Sequence, residues 1–421
     1  MRNILFTTPV LEHPAAGGPQ LRIENSIKAL NDICQLHVIS RVSYLKIGGN
    51  VADKYYRKNS YKFFYSPAVK INYKNIFFYK IKKAIKLFSD KRTKYCLDDY
   101  LVDIDAKFIV NYAKKNNIDV IWFGYGNISY NLIDKIKKIN SKLILICDTD
   151  SVFSRFILRG LPYHSSEKVR LKVKKSGLKK AWEEEQLVQI CDVITAVSEV
   201  DRDYYLALTG EKEKVFLFSN VIDVDIYNKK VIEPDKFKRP SVYLAGSYGK
   251  DSPMEHAVRW FIDLVFPILK KKNSNIHFYI VGTGSKETLR DIKDSNITIT
   301  GKLESVLPYL CNVDVAIVPL FFESGTRFKI LEAGAAGTPI VSTTLGAEGL
   351  DVTDGKDILI ADEPVNFANA ILKLIDDKEY SNKLAMNCKK LIREKYGIDS
   401  LKKEAIDILN YCFSNENYNG D

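Results

Sequence analysis

The chain has 421 residues, 46% of them hydrophobic, which is too long for one ordinary core and ample for two. Its formal charge is +11, but no zinc pattern, RNA-binding aromatic signature or helix-turn-helix spacing goes with it, so no nucleic-acid partner is expected. Seven scattered cysteines without a Cys-x-x-Cys pair read as reduced thiols of a cytoplasmic protein; five histidines lack metal-ligand spacing, and no apolar run is long enough for a membrane helix.

In chain order, MRNILFTTPV is interrupted too soon by Glu12 and His13 for a signal peptide and reads as a first strand, Asn3–Thr8. A glycine turn, Ala15-Ala16-Gly17-Gly18-Pro19, leads into a helix over 21–30, on which Arg22 is either a solvated charge or a ligand contact. Further strands are expected at Gln35–Ser40, 120–123, 143–147, Val193–Ala196 and 215–218, with a helix over 178–189. The stretch 61–95 mixes Lys62, Lys80, Lys82, Lys83 and Lys86 with Phe63, Phe64, Tyr65, Phe77, Phe78, Tyr79 and Phe88. It reads either as a segment lying on an anionic membrane, at the cytoplasmic face, or as an amphipathic helix with its apolar side in the core. Asp148-Thr149-Asp150 follows a strand, and Asp150 or Ser151 could cap the next helix, whose Arg155 and Arg159 stand four apart.

The polar stretch 228–240, with Lys229, Lys230, Pro234 and Pro240, reads as a linker, after which strands are expected at Ser241–Ala245, His277–Val281, 297–300, 313–320, 340–343 and 358–360. Strands alternating with helices predict α/β architecture with parallel sheets in two Rossmann-like halves. Ligands of such sheets bind beyond the carboxyl ends of the strands. Three glycine turns lie there: Gly246-Ser247, Gly282-Thr283-Gly284 and Gly301-Lys302. A fourth, Ser324-Gly325-Thr326-Arg327, opens onto a helix ended by Gly337-Thr338-Pro339. Unpaired N–H groups at that helix start, the close approach allowed by Gly325, and the charges of Arg327 and Lys329 make a phosphate seat. Glu332, beside Ala333, Gly334, Ala335 and Ala336, needs a polar partner, and a ribose diol fits it. The alternative is a Lys329–Glu332 pair on a solvated helix with Arg327 at the surface.

GTRFKILEAGAAGTPIVSTTLGAEGL resembles the donor-site segment of family-4 glycosyltransferases, in the bacterial branch reading G-T-R-x-K-x-x-E-A. The resemblance implies the GT-B fold: two Rossmann-like domains, 1–230 for the acceptor and 231–395 for the nucleotide sugar, facing across a cleft, with a C-terminal helix in 396–421 crossing back to the first. It implies a retaining, metal-independent, hexosyltransferase-type enzyme without a cofactor. The donor is a nucleotide-diphosphate sugar, and the acceptor a glycan or a lipid-linked sugar in cell-surface glycan or glycolipid biosynthesis. Carried over by position, Glu332 binds the ribose, and Gly246, Ser247, Gly282, Gly301, Ser324, Gly325 and Thr326 line the donor site. Gly17, Gly18 and Arg22 face the acceptor, and Arg327 and Lys329 stabilise the leaving diphosphate, with Asp150 in a positioning role. Two departures stand out: Ser324 occupies the place of a sugar-facing Glu, with Glu323 one residue earlier, and Asp150 occupies that of a His. A nucleotide-sugar epimerase using Asp148 and Asp150, or a non-catalytic membrane-associated binding protein, are the competing readings.

Overall fold

The computed structural model of the chain describes residues 2–15, 17–70, 77, 80, 81, 83, 97–164, 166–228 and 231–414. Ala16, Lys229, Lys230, Cys96 and most of the basic aromatic stretch, including Phe78, Tyr79, Lys82, Lys86 and Phe88, lie outside the described residues.

Two parallel sheets organise the chain. The first is formed by β1 (Asn3–Thr8), β2 (Gln35–Ser40), β3 (Lys62–Tyr65), β4 (Val120–Gly124), β5 (Ile144–Asp148), β6 (Val193–Ala196) and β7 (Val215–Leu217), in the order β3-β2-β1-β4-β5-β6-β7. The second is formed by β8 (Ser241–Ala245), β9 (His277–Val281), β10 (Ile297–Gly301), β11 (Val315–Val318), β12 (Ile340–Ser342) and β13 (Leu359–Ile360), in the order β10-β9-β8-β11-β12-β13. Both orders reverse direction once, beside β1 and beside β8, and the crevice beyond the strand ends at such a reversal is where doubly wound sheets take ligands. The strands are near-continuous apolar runs because helices cover both faces. Phe6, Trp122, Phe123 and Phe218 are fully buried around the first sheet, and Phe261, Phe266, Phe278 and Phe367 around the second.

The helices used below are α1 (Gly18–Asn31), α2 (Gly49–Lys58), α3 (Leu97–Lys115), α4 (Tyr130–Ile139), α5 (Phe153–Arg159), α6 (Glu167–Ile190), α7 (Glu199–Thr209), α8 (Val224–Tyr227), α9 (Pro253–Trp260), α10 (Phe266–Lys272), α11 (Phe328–Ala336), α12 (Thr344–Ala347), α13 (Pro364–Asp376), α14 (Lys378–Lys395) and α15 (Ile398–Ser414). Among the described residues no helix is long and apolar enough to cross a membrane.

One element departs from its sequence reading. Residues 62–65, grouped above with a membrane-lying or helical stretch, form β3, in register with β2 from His37↔Lys62 to Ser40↔Tyr65. Phe63 is buried between exposed Lys62 and Phe64, and this alternation of two, in a β-favouring Lys-Phe-Phe-Tyr run, defines an edge strand.

By compactness the chain divides into one unit of Met1–Asp150, Ala181–Phe218 and Leu401–Asp421, and another of Ser151–Lys180 and Ser219–Ser400. In the first, Lys402 pairs with Asp32 at 2.6 Å and the Arg2 guanidinium lies 3.8 Å over the Phe413 ring, fastening the end of α15.

Candidate functional site

In the second unit, three glycine turns beyond the strand ends are bonded backbone to backbone. Gly246 N–H donates to Val281 O at 3.0 Å, Tyr248 N–H to Thr283 O at 2.8 Å, and Gly282 N–H to Gly301 O at 3.0 Å. Gly282 has φ +129°, and a Cβ there would fall 1.9 Å from Gly246 O; a Cβ on Gly284, at φ +78°, would fall 2.1 Å from Tyr248 O. Only glycine permits this approach. Gly301 N–H donates to the Ser285 hydroxyl oxygen at 3.2 Å, while Ser247 is exposed.

The fourth turn follows β11. Gly325 has φ +77°, and α11 begins directly after Arg327. Asn220 Nδ2 donates to Thr326 Oγ1 at 2.7 Å, and the Ser324 hydroxyl is buried without a hydrogen-bond partner. Arg327 is only 3% exposed; one guanidinium nitrogen donates to Gly325 O and another to Leu345 O at 3.2 Å, so the side chain braces the turn that bears it. This corrects the surface position allowed to Arg327 above.

Lys329, the second residue of α11, is half-buried and makes no hydrogen bond or ion pair to a described residue. Burial pushes its ammonium below the ordinary lysine range, and Arg327 adds to that, against the pull of Glu323 and Glu332. The Lys329–Glu332 pair is therefore not formed. Glu332 instead accepts from the Tyr227 hydroxyl of α8 at 2.9 Å through Oε1. Burial raises the Glu332 carboxyl above its usual range in spite of Tyr227 and Lys329. One carboxylate oxygen thus has a protein partner and the other is left for a hydroxyl donor.

A second layer holds these loops. Arg159 forks onto Glu348, at 2.6 and 2.9 Å, and also donates to Glu323 O at 2.9 Å. Burial pushes the Glu348 carboxyl up, but the Arg159 hydrogen bond and the charges of Arg159, Arg327 and Arg155 more than reverse it and leave it below the usual range. Tyr163 stacks on Phe322, ring centroids 4.5 Å apart, and His256 meets Tyr163 edge-on at 4.3 Å. Tyr227 and Glu348 escaped the sequence reading as site-supporting groups. Each lies about 105 to 190 residues from its partner, and no local pattern signals such a pairing.

In the first unit, Gly17 caps α1 with extended backbone and Gly18 begins the helix. Arg22 is 2% exposed and donates to Asp148, to Thr149 O at 3.0 Å and to Phe218 O at 3.1 Å. This corrects the solvated-charge reading of Arg22: its donors tie the ends of β5 and β7 together. Thr195 also donates to Asp148, at 2.8 Å. Asp150 accepts from Asn127 at 2.8 Å; burial raises its carboxyl, opposed by Asn127, Arg22 and Tyr125. Neither Asp150 nor Ser151 caps α5, whose N-cap is Val152. Ser198 caps α7, accepting from Asp201 N–H at 3.2 Å. Among the described residues, no three His, Cys, Asp or Glu side chains gather as a metal-ligand cluster.

Two parallel Rossmann-like sheets in these strand orders define the GT-B fold. HepE of Anabaena, solved with UDP-glucose, superimposes with a TM-score of 0.64 at 13% identity over 97% of this chain and all of its own. Residues 239–377, which carry the four turns and α11, match the family described as Glycosyl transferases group 1. The likeness to GT-B glycosyltransferases read from the α11 segment is thereby found in both fold and sequence. An uncharacterized 44.6 kDa protein of the cps region of Klebsiella pneumoniae is 28% identical over 146 residues, 32% of this chain and 38% of that protein. D-inositol 3-phosphate glycosyltransferase of Paenarthrobacter aurescens is 31% identical over 124 residues, 26% of this chain and 30% of its own length. The chain thus spans about a third of the curated relatives it matches.

Proposed function

We propose that the protein is a glycosyltransferase that moves a sugar from a nucleotide-diphosphate sugar to a hydroxyl acceptor, with retention of configuration and without a divalent metal. The observation that carries this reading is Lys329, a half-buried cation in the first turn of the helix that opens on the Gly325 turn, with no ion-pair partner among the described residues. A buried cation without a counter-ion is costly, and an anion bound at the helix start would supply one. The free oxygen of Glu332 would take a ribose hydroxyl, and the unpartnered Ser324 hydroxyl would meet the donor near the diphosphate or sugar. HepE was solved with UDP-glucose, and a matched relative is by name a glycosyltransferase; both favour a sugar donor over a bare nucleotide.

In the reaction, the bond from the anomeric carbon to the β-phosphate oxygen breaks while one to the acceptor oxygen forms. Charge grows on the leaving diphosphate, where Lys329 and the N–H groups at the start of α11 stabilise it, with Arg327 holding the turn in shape and adding to the field. The acceptor proton passes to the departing phosphate on the same face, which retains configuration. In the first unit, Asp150, which accepts from Asn127, and the loop at Gly17 and Gly18 are the groups we assign to the acceptor. A glycan or lipid-linked acceptor of cell-surface polysaccharide synthesis, on the cytoplasmic side, fits such an enzyme.

The test is release of nucleoside diphosphate from a panel of nucleotide sugars, with and without acceptor glycans. Acceptor-dependent release with sugar transferred supports the proposal. Interconversion of the sugar without acceptor would make the protein an epimerase, and no turnover or nucleotide binding with any donor would refute both enzyme readings.

A further inference from the structure

We propose that the N-terminal half of α6 is an interfacial helix that seats the protein on an anionic lipid surface. Residues 166–172 and 174–176 are exposed; half-buried Val173 and buried Gly177, four residues on, mark the one side that packs, where Gly177 lies against Leu158 of α5. From Glu167 to Lys180 it carries seven lysines and arginines against Glu167 as its one acid. Leu171, Lys175, Leu178 and Trp182 recur at helical spacing and share one side. On that side Leu171 is 62%, Leu178 55% and Trp182 48% exposed, and Trp182 meets Tyr130 edge-on, with centroids 5.4 Å apart.

An apolar stripe bordered by long basic side chains matches the boundary between headgroups and acyl chains. The leucines and the indole enter the interface, while lysine stems extend so that the ammonium groups reach lipid phosphates. A second copy of the chain is a poor occupant, because two such strongly basic helices repel. A nucleic acid would pair with the lysines but leave Leu171 and Leu178 in water. The lipid surface alone uses both features. The proposal does not depend on the enzymatic reading, and it assigns attachment to a segment distinct from 61–95.

Co-sedimentation of the full-length protein tests it, using vesicles of equimolar phosphatidylcholine and phosphatidylglycerol at low salt and vesicles of phosphatidylcholine alone. The protein should be retained by the anionic vesicles, released as salt rises, and ignored by the neutral ones. Each basic side chain near such a surface changes partitioning about fivefold, so Lys174→Glu with Lys175→Glu should lower retention at least tenfold. Leu171→Ser with Leu178→Ser should lower it about tenfold with the charge unchanged. All four positions are exposed, so both variants should keep the parent melting temperature. Absence of binding by the parent, or parental retention of both folded variants, overturns the proposal. Binding to duplex DNA with vesicles left unbound makes the helix a polyanion surface and overturns it as well.

Discussion

Lys329 and Glu332 lie one turn apart on the same helix, and burial disfavours the charged form of each, pushing the lysine down and the glutamate up. Keeping both groups charged costs the protein stability, and a bound nucleotide sugar, as proposed, would offset that cost. For Glu332 the sign is fixed by the raised carboxyl: the stability it contributes is complete below the ordinary glutamate range and is lost as pH rises through its folded-state value. Glu332→Gln resembles the protonated form, so at neutral pH the variant should melt above the parent, and the gap should close on acidification. Scanning calorimetry across that range checks it; a variant that melts lower at neutral pH would contradict the burial account. Lys329→Met keeps the stem and removes the charge. A charge-assisted hydrogen bond contributes about 1.5–3 kcal/mol, so UDP should bind about one to two orders of magnitude more weakly while uridine is spared. Arg327→Ala should weaken UDP too, but with a fall in melting temperature that Lys329→Met does not show, because Arg327 also holds Gly325 O and Leu345 O. Titration calorimetry paired with thermal melts separates the two.

At the scale of elements, the site is a set of turns whose backbones touch. Gly282→Ala places a methyl group 1.9 Å from Gly246 O at a φ of +129°, whereas Gly210→Ala, also at positive φ, meets nothing within 4 Å. The second should cost about 1 kcal/mol of strain and the first well above 3, with melting falling by about 2–4 °C per kcal/mol. Loss of nucleotide binding should accompany only the first. Equal shifts in the two variants would mean that the glycine turns are not packed as described. The contrast also marks how far sequence reading reaches. Gly325, Gly337 and the helix between them were legible, because a glycine at each end of a short apolar helix reports backbone geometry directly. The strands were legible because parallel strands covered on both faces are continuous apolar runs. β3 was hidden inside a lysine-rich stretch, where an edge strand reads like an amphipathic segment. Arg22 was misread because a charge on an amphipathic helix carries no local sign of burial; its partners Asp148, Thr149 and Phe218 lie 126 to 196 residues away.

For the whole molecule, the central claim is that the second sheet holds a nucleotide sugar at α11 and its glycine turns. Cationic and helix-end stabilisation of the diphosphate predicts turnover that survives EDTA; activity lost on chelation and restored by Mg²⁺ or Mn²⁺ would assign that charge to a metal instead. Where the claim can fail most directly is ligand binding, because a ligand of the folded state must bind through the groups named. Titration calorimetry of uridine, UDP and other nucleoside diphosphates into the parent and into Glu332→Gln is the decisive measurement. The account predicts that the parent binds a nucleoside diphosphate and that Glu332→Gln binds both it and the nucleoside about one to two orders of magnitude more weakly, since one ribose contact serves both. A folded Glu332→Gln variant that binds as tightly as the parent, or a parent that binds none of them, would contradict it.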